Sequence, residues 1–497
     1  MKKIGVLVVA YNAASTLAGV LDRIPGDVRP RIHEVLVGDD HSQDSTYLVG
    51  VGYRSLTDLP LTVVRHPQNL GYGGNQKWGY RWAIDRGWDI VVLLHGDGQY
   101  APEMLERLVA PIERGEADAV FGSRTMVKGE ARRGGMPAYK YVGNRILTGL
   151  QNRITGADLT EWHSGYRAYD VAALASLPFE QNDDGFNFDT QIIVQLLEAR
   201  KRITEIPIPT YYGDEICYVN GLRYARDVTR DVVRYRAHKM GFGTGTLAFA
   251  STSYDLKDDE GTSHDRIVRW LAGRPPSRIL DLGCSDGALG AALGAHGHTV
   301  VGVDVHEHKG VRERLSDFYE ADLDAGIPDG VGDGFDVVLA ADVLEHLRNP
   351  GKLLDDIGHR LRPGGSLIAS VPNFGHWYPR ARVALGLFDY DARGILDRGH
   401  LRFFTRRSFH RLLAESGWRV RRDEPVGLPL GVADRGPRPA SRSGGIRRLA
   451  GRLDRGAVAI RPQLFAYQFL FELEQAMPAT TQPVAVTRLD GGAHRDP

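Results

Sequence analysis

The sequence lacks most features that would place it in a specialised class of protein. It has only two cysteines, Cys217 and Cys284, which lie far apart, so neither a disulfide framework nor a zinc site is indicated. Its formal net charge is zero, so no general electrostatic attraction to nucleic acid is expected. No apolar run approaches the roughly 20 residues that span a bilayer. These absences favour a cytoplasmic protein.

The length of 497 residues is enough for two or three domains, each with its own core. With 42% hydrophobic and 25% charged residues, the composition is that of an ordinary globular protein. The apolar residues 4–10 could be taken for the start of a signal peptide. They end in Tyr11 and Asn12, however, and are better interpreted as a first strand.

The stretch VVLLHGDGQY, residues 91–100, is the most informative part of the first half. Its apolar beginning is typical of a strand buried on both faces of a parallel sheet. In an open α/β sheet, ligands bind beyond the carboxyl end of such a strand. The side-chain oxygens of Asp97 and Gln99 suit Mg²⁺ or Mn²⁺ bound to a diphosphate. The alternative is an ordinary turn with a solvated aspartate.

Strands and helices alternate through the first half of the chain, which predicts a doubly wound parallel α/β sheet. The predicted strands cover residues 4–10, 34–38, 61–65, 91–95 and 118–122. An acidic turn, residues 39–44, follows the second strand. A glycine-rich turn, residues 69–74, opens a helix and could present N–H groups to an anion. It is not a P-loop, because the lysine and hydroxyl spacing is absent.

These motifs together resemble family 2 glycosyltransferases of the GT-A type, nearest the dolichyl-phosphate mannose synthase-like branch, over about the first 235 residues. The residues that carry the resemblance are Tyr11-Asn12, Asp39-Asp40 with Asp44, Asn69-x-Gly71 with Gly74, Asp97-Gly-Gln99, Gly122-Ser123-Arg124 and Ser164-Gly165-Tyr166-Arg167. The resemblance implies that Asp97 and Gln99 bind the metal. It also implies that the nucleotide-sugar donor is bound by Tyr11, Asn12, Asp39, Asp40, Asn69, Gly74 and Arg124.

The chain departs from the family pattern at His95, where a carboxylate is usual, and this leaves the choice between Mg²⁺ and Mn²⁺ open. An alcohol acceptor would also need a general base, whereas a phosphate acceptor is already ionised. The candidate bases are Asp158, Glu161 and His163, with Asp97 also counted as catalytic through its metal. The alternative is that these are loop residues that solvate a turn. Asp184 and Asp189 are predicted to orient the acceptor helix; the alternative for Asp189 is a cap of the helix over residues 190–200.

The joint between the halves begins with a basic helix over residues 222–240. It is either a solvated face or a surface that meets anionic lipid or a phosphate-bearing acceptor. The residues that follow, up to about 263, are rich in Gly, Ser, Thr and Asp and predict a linker.

The second half repeats the design of strand, glycine turn and helix at RILDLGCSDGALGAAL, residues 278–293. Asp304 ends the next predicted strand about 20 residues later, where an acidic residue can bind ribose hydroxyls. A dinucleotide site would fit this pair too. The turn reads G-x-x-x-G, however, rather than G-x-G-x-x-G.

The further motifs around Asp322, at 335–347 and at 361–373 make the region from about 250 to 425 similar to class I S-adenosylmethionine-dependent methyltransferases. The resemblance implies a second, Rossmann-like fold. It implies that the cofactor contacts Asp281, Gly283, Cys284, Gly287, Asp304, Asp322, Leu323 and Asp342. His346 and His400 are candidate bases for a hydroxyl acceptor, or structural histidines.

The sequence therefore predicts a bifunctional enzyme that transfers a sugar to a lipid-phosphate, polysaccharide or other glycoconjugate and methylates a substrate. No nucleic acid partner is expected, and contact with the inner face of a membrane is a further expectation. The alternative is a methyltransferase whose degenerate first domain only binds the donor, as a scaffold or regulatory module. The predicted segments are a glycosyltransferase domain 1–240, a linker 241–262, a methyltransferase domain 263–428, a flexible basic loop 429–448, a helical segment 449–477 and a disordered tail 478–497.

Overall fold

The computed structural model describes residues 2–211, 220–243, 261–391, 393–430 and 444–476. Most of the predicted linker, much of the basic loop and the predicted tail lie outside these residues. The chain forms two compact units. The first consists of residues 1–265, 376–400 and 427–467, and the second of residues 266–375, 401–426 and 468–497. The predicted domain boundaries stay predictions.

The first unit contains a seven-stranded sheet with the strand order β3-β2-β1-β4-β6-β5-β7. Its strands are β1 Ile4–Ala10, β2 Ile32–Asp39, β3 Leu61–Arg65, β4 Ile90–His95, β5 Ala119–Ser123, β6 Arg167–Asp170 and β7 Ile203–Pro207. The helices of this part of the chain are α1 Leu17–Asp22, α2 Thr46–Arg54, α3 Tyr72–Asp85, α4 Leu105–Glu113, α5 Glu130–Arg133, α6 Ala138–Thr155, α7 Val171–Ala175, α8 Phe188–Glu198 and α9 Gly221–Lys239.

The five strands predicted in this half are all present, within two residues of their predicted ends. The sheet is nevertheless mixed, because β6 runs antiparallel to both β4 and β5. The chain between β5 and β6 ends at the carboxyl edge of the sheet, so β6 starts there and runs back. A pattern of apolar residues does not report strand direction, and the expectation of a wholly parallel sheet is therefore wrong at β6.

The central strand β1 is buried along its whole length, which explains its unbroken apolar sequence. Val6 and Val8 pack into the core on one face of the sheet, and Leu7 and Val9 into the core on the other. Strands covered on both faces lose the alternation of polar and apolar residues that marks a half-exposed strand.

The second unit contains another seven-stranded sheet, with the order β10-β9-β8-β11-β12-β14-β13. Its strands are β8 Arg278–Leu282, β9 Thr299–Asp304, β10 Asp317–Glu320, β11 Phe335–Ala341, β12 Leu361–Pro372, β13 Trp418–Val426 and β14 Gln468–Gln475. The remaining helices are α10 Ser263–Ala272, α11 Ala288–Gly294, α12 Val311–Arg314, α13 Pro350–Arg360, α14 Trp377–Ala384, α15 Arg406–Glu415, α16 Gly444–Ile460 and α17 Pro462–Phe465.

The helical segment predicted over residues 449–477 ends early. Residues 468–475 form β14, which pairs antiparallel with both β12 and β13. Phe469, Leu470, Phe471 and Leu473 are all buried there, and because successive side chains point to opposite faces, both faces of β14 are covered. A short, continuous apolar run fits a buried strand as well as a buried helix, so the sequence pattern alone did not distinguish them.

Within the described residues, no helix combines the length and the apolar character needed to cross a bilayer.

Candidate active sites

The motifs of the first half meet at the carboxyl edge of the first sheet. Ala10 pairs with Asp39 and Val9 pairs with His95, so the ends of β2, β1 and β4 lie side by side. The chain leaves β1 towards β2 on one side, while β4 lies on the other. The crevice beside β1 is thus a topological switch point, where open α/β sheets bind their ligands.

Asp97 and Gln99 lie in the turn that follows β4. Asp97 is exposed and its Oδ1 accepts the Gln99 N–H at 3.0 Å, while Gly98 takes a left-handed conformation (φ +79°). The turn therefore offers two neighbouring side chains with hard oxygen atoms to a cation. Two such ligands suit Mg²⁺ or Mn²⁺, whose other positions are commonly filled by phosphate oxygens and water.

His95 points into the domain. Its Nε2 lies 3.3 Å from Tyr72 Oη, which in turn donates to Asp189 Oδ2 at 2.9 Å. The imidazole also explains the glycine at 165, because a Cβ there would lie 2.6 Å from His95 Nε2. Burial lowers the pKa of His95, although Asp97 and Asp189 act in the opposite direction. The replacement of the usual carboxylate thus places a neutral group in contact with Tyr72.

Asp189 has a different role from the helix cap considered in the sequence analysis. It lies inside the first turn of α8, whose N-cap is Asn187. Its carboxylate accepts from Tyr72 and lies 3.5 Å from the buried Arg167. Sequence reasoning did not identify Tyr72, whose position inside the glycine-rich turn, at the start of α3, was the available signal.

The glycine-rich turn already binds an anion, the carboxylate of Asp40. Asp40 Oδ1 accepts from the N–H of Leu70 at 2.6 Å, and Oδ2 accepts from that of Gly71 at 3.0 Å. Gly73 N–H donates to the Asp184 carbonyl at 2.7 Å. Burial raises the pKa of Asp40, while these N–H bonds lower it. The structure therefore gives Asp40 the task of holding the turn.

The other residues predicted to bind the donor lie around this edge. Asp39 is fully buried, accepts from Ser42 and lies 3.5 Å from Arg65. Asn12, in a left-handed conformation, accepts the N–H of Gln43 at 2.8 Å, and Tyr11 is 38% exposed.

Two further predicted donor residues support the turn itself. Asn69 Nδ2 donates to the Asp40 carbonyl at 3.0 Å. At Gly74, a Cβ would approach Leu70 Cβ to 2.9 Å, so a glycine allows this close packing.

Arg124 and Glu161 form a buried ion pair. Their side chains are 5% and 0% exposed, respectively. Arg124 Nε donates to Glu161 Oε1 at 3.0 Å, and the Arg124 backbone N–H donates to Oε2 at 2.7 Å. Both carboxylate oxygens are thus occupied, so Glu161 is a counter-ion for Arg124 rather than a group aimed at an acceptor. Arg124 also donates to the His163 carbonyl at 3.0 Å.

His163 contacts helix α9. Its Nδ1 lies 2.8 Å from Tyr224 Oη, and its buried Nε2 has no hydrogen-bond partner among the described residues. Burial lowers the pKa of His163 to about 3, with smaller contributions from Arg124 and Arg167. The third candidate base, Asp158, lies exposed on the loop after α6.

In the second sheet, the predicted cofactor turn follows β8. Gly283 and Gly287 have φ of +69° and +78°, and a Cβ at Gly283 would lie 2.7 Å from the Val343 side chain. Ser285, also left-handed, donates its N–H to Asp304 Oδ2 at 2.8 Å. Asp304 therefore holds the turn, as Asp40 does in the first sheet.

Asp281 and Cys284 are buried beside this turn. Asp281 is 2% exposed and its Oδ2 has no hydrogen-bond partner in the described part of the chain. Burial, reinforced by Asp304, raises the pKa of Asp281 to about 7. A buried carboxylate of this kind fits a cationic cofactor. Burial raises the pKa of the Cys284 thiol, so this cysteine serves packing rather than reaction.

Asp342 lies at the carboxyl end of β11, where it accepts from Ser370 Oγ at 2.6 Å and from Gln468 Nε2 at 3.0 Å. Gln468 belongs to β14 and was missed, because the sequence predicted a helix there. Asp322 is exposed and accepts the Asp324 N–H at 2.9 Å, and Leu323 is half-buried.

The two candidate bases of the second half have different surroundings. His346 is exposed. His400 is buried, and its Nδ1 lies 3.2 Å from the Ile395 carbonyl.

Comparisons with known proteins agree with this geometry. The family described as "Glycosyl transferase family 2" matches residues 5–177, and the family described as "Methyltransferase domain" matches residues 258–422.

The relatives divide in the same way. An undecaprenyl-phosphate mannosyltransferase of Micrococcus luteus is 30% identical over 203 residues, covering 41% of this chain and 81% of that protein. A UDP-N-acetylglucosamine–dolichyl-phosphate N-acetylglucosaminyltransferase of Methanococcus voltae is 26% identical over 224 residues, 43% of this chain and 87% of that protein. A ubiquinone biosynthesis O-methyltransferase of Caulobacter sp. (strain K31) is 34% identical over 143 residues, 26% of this chain and 54% of that protein.

The resemblances identified in the sequence are thereby confirmed, as are the GT-A-like and methyltransferase folds. The chain belongs to glycosyl transferase family 2 through its first half and carries a methyltransferase domain in its second half.

Proposed function

We propose that the first half transfers a sugar from a nucleotide-diphosphate donor to a polyprenyl phosphate, with a divalent metal and inversion at the anomeric carbon. The observation that carries this proposal is the exposed Asp97-Gly-Gln99 turn at the topological switch point beside β1. The names of the two glycosyltransferase relatives, which act on undecaprenyl and dolichyl phosphates, support the choice of acceptor. A metal bound there would neutralise the leaving diphosphate.

A phosphate acceptor also agrees with the state of the candidate bases. The Glu161 carboxylate is committed to Arg124, and the low pKa of His163 makes it a weak proton acceptor. An alcohol would need a base with a pKa near the working pH, whereas an ionised phosphate oxygen attacks without one. In this proposal the attacking oxygen approaches the anomeric carbon opposite the leaving diphosphate, which inverts the configuration.

The methyltransferase half would use S-adenosylmethionine, which carries its methyl group on a sulfonium and so supplies an activated one-carbon donor. Asp281, Asp304 and the turn between them would hold it, because the buried Asp281 carboxylate is complementary to a cation. His400 or His346 would take the proton from a hydroxyl acceptor. Both activities would serve one pathway of cell-surface polysaccharide or glycolipid synthesis, at the cytoplasmic face of a membrane.

The competing hypothesis, a first domain that only binds the donor, depends on His95. His95 contacts Tyr72, and the side-chain oxygens of Asp97 and Gln99 are both present in the turn that follows it. This arrangement favours an active transferase.

Asp97→Ala is expected to lower metal-dependent sugar transfer at least about 100-fold, the scale for loss of a group that stabilises developing charge. Transfer of radiolabelled sugar from nucleotide-sugars to short-chain polyprenyl phosphate measures this, with Mg²⁺ or Mn²⁺. The exposed Asp85→Ala is the matched control. Full transfer by Asp97→Ala would remove Asp97 from the metal site.

Glu161→Ala is expected to lower the free energy of unfolding by about 3–5 kcal/mol, because it leaves Arg124 buried without its counter-ion. Urea unfolding of the full chain, monitored through the unfolding transition of the first unit, measures this loss. Glu116→Ala is the control, since its ion pair with Arg114 is exposed and little change is expected. If Glu161→Ala had the free energy of unfolding of the wild type and lost only its activity, Glu161 would be a catalytic base.

His163 should make the wild type sensitive to acid. Its pKa is lowered from 6.5 to about 3 in the folded state. Between these values the unfolded chain binds one more proton than the folded chain, so the free energy of unfolding decreases as the pH is lowered. Between pH 6 and 4, wild type should therefore lose up to about 1.4 kcal/mol per pH unit more than His163→Gln. Urea midpoints across this range test the difference, with the exposed His33→Gln as control. Equal pH slopes would show that His163 titrates normally.

Asp281→Asn is expected to weaken binding of S-adenosylmethionine about tenfold or more, as for loss of a charged partner. Isothermal titration calorimetry on the full chain measures the dissociation constant. The exposed Asp355→Asn, on α13, is the control. Unchanged affinity in Asp281→Asn would mean that this carboxylate does not face the cofactor.

A further inference from the structure

Helix α6 buries three polar side chains and exposes three large apolar ones. Its buried positions are polar: Thr148, Gln151 and Thr155. Thr148 Oγ1 accepts the Trp162 N–H at 3.4 Å, and Gln151 Nε2 donates to Thr190 Oγ1 at 3.2 Å. This polar face is therefore the one that α6 packs against its own domain.

The opposite face of α6 carries large apolar side chains. Tyr139, Val142 and Ile146 precede the three buried residues by nine positions each, which is about two and a half helical turns and places them on the far side. They are 74%, 53% and 65% exposed. Single exposed apolar residues are ordinary, but a stripe at helical spacing opposite the packed face indicates a contact with something else.

The sequence segment that carries this stripe is strongly basic, although the whole chain has no net charge. Residues 125–157 contain six basic side chains and one acidic side chain, Glu130. Lys128, Arg132, Arg133 and Arg145 are exposed. Exposed apolar residues flanked by cations are typical of helices that lie on an anionic lipid surface.

The basic helix α9, which the sequence analysis had considered for this role, is less suited to it. Arg223, Arg226 and Arg230 lie within 3.8, 2.9 and 3.6 Å of Asp227, so one carboxylate offsets part of their charge.

The position of α6 along the chain links it to the transfer site. The segment that contains it begins just after Arg124, at the carboxyl end of β5. It ends at Ser164-Gly165-Tyr166-Arg167, where the chain re-enters the sheet at the same edge. The segment that contains α6 is thus joined at both ends to the sheet edge at which Asp97 lies.

We propose that the stripe formed by Tyr139, Val142 and Ile146, with the basic residues around it, is the surface by which this protein binds an anionic lipid bilayer. The inference rests on the proposed membrane contact and adds the binding surface and the lipid class. A protein partner fits less well, because three side chains in a basic segment are small beside the roughly 800 Å² per partner of a stable interface.

Co-sedimentation of the full chain with vesicles tests the proposal, using phosphatidylcholine alone and phosphatidylcholine with 30–40% phosphatidylglycerol as the two lipid compositions. Wild type should bind the anionic vesicles and bind the neutral ones about tenfold less. Tyr139→Ser/Val142→Ser/Ile146→Ser should lower the partition coefficient on anionic vesicles at least about tenfold.

The matched control for the apolar change is Leu48→Ser/Val51→Ser/Leu56→Ser. These side chains, on and just after α2, are 67%, 41% and 84% exposed. This control should bind anionic vesicles as wild type does. Equal losses in both triple variants would overturn the assignment to α6.

The charge contribution is tested separately. Lys128→Gln/Arg133→Gln should weaken binding to anionic vesicles and leave binding to neutral vesicles unchanged. The control Arg54→Gln/Arg107→Gln removes two exposed cations elsewhere in the same unit and should have little effect. A wild type that binds neither vesicle, or binds both equally, would contradict the proposal. It would also be contradicted if the wild type bound no vesicles and the α6 variant had a different oligomeric state, since the stripe would then be a protein interface.

A second assay separates this proposal from the proposed function. With a short-chain, water-soluble polyprenyl phosphate, the α6 variant should transfer sugar at the wild-type rate, and it should lose activity only towards a long-chain acceptor in vesicles. Wild type that binds anionic vesicles but transfers no sugar to either acceptor would refute the transferase proposal and leave the lipid surface standing.

Discussion

Two arginines are buried at the carboxyl edge of the first sheet, and the arrangement of the site depends on the carboxylates that neutralise them. Arg124 pairs with Glu161, and Arg167, which is 1% exposed, lies beside Asp189. A buried guanidinium without a counter-ion is strongly destabilising, so both pairs must form together with the fold. Glu161 brings the loop after α6 onto the end of β5, and Asp189 brings α8 against the start of β6.

Other features of the site follow from these two pairs. Asp189 also accepts from Tyr72, which sets the position of His95, and the imidazole edge then requires a glycine at 165. The turn after β4 is supported from behind by a chain of side chains drawn from four separate parts of the sequence. The exposed turn that we propose as the metal site would gain a fixed geometry from such a buried network.

The sequence was sufficient to predict where the motifs meet, but not what each side chain does there. Strand ends can be recognised from apolar runs, and the carboxyl ends of neighbouring parallel strands must share an edge. Asp40 was predicted as a donor ligand from the family resemblance, and Glu161 as a candidate base. In the structure both carboxylates pair with groups some 30 or more residues away, and local sequence does not encode that pairing. The direction of β6 and the strand at 468–475 were missed for the same reason, since each depends on non-local strand pairing.

The two halves solve the same local problem in the same way. A sharp turn after a strand exposes backbone N–H groups that need an acceptor, and in each half an aspartate from another strand end supplies it. Asp40 accepts from Leu70 and Gly71, and Asp304 accepts from Ser285.

A carboxylate offers about four acceptor positions, so two bonds to a turn leave capacity for a hydroxyl group of a ligand. An acidic residue at this position is therefore needed by the fold even before a ligand is bound, and its presence alone is weak evidence for a nucleotide. The stronger evidence comes from groups the fold leaves without an internal use, such as the buried Oδ2 of Asp281 in the described part of the second unit.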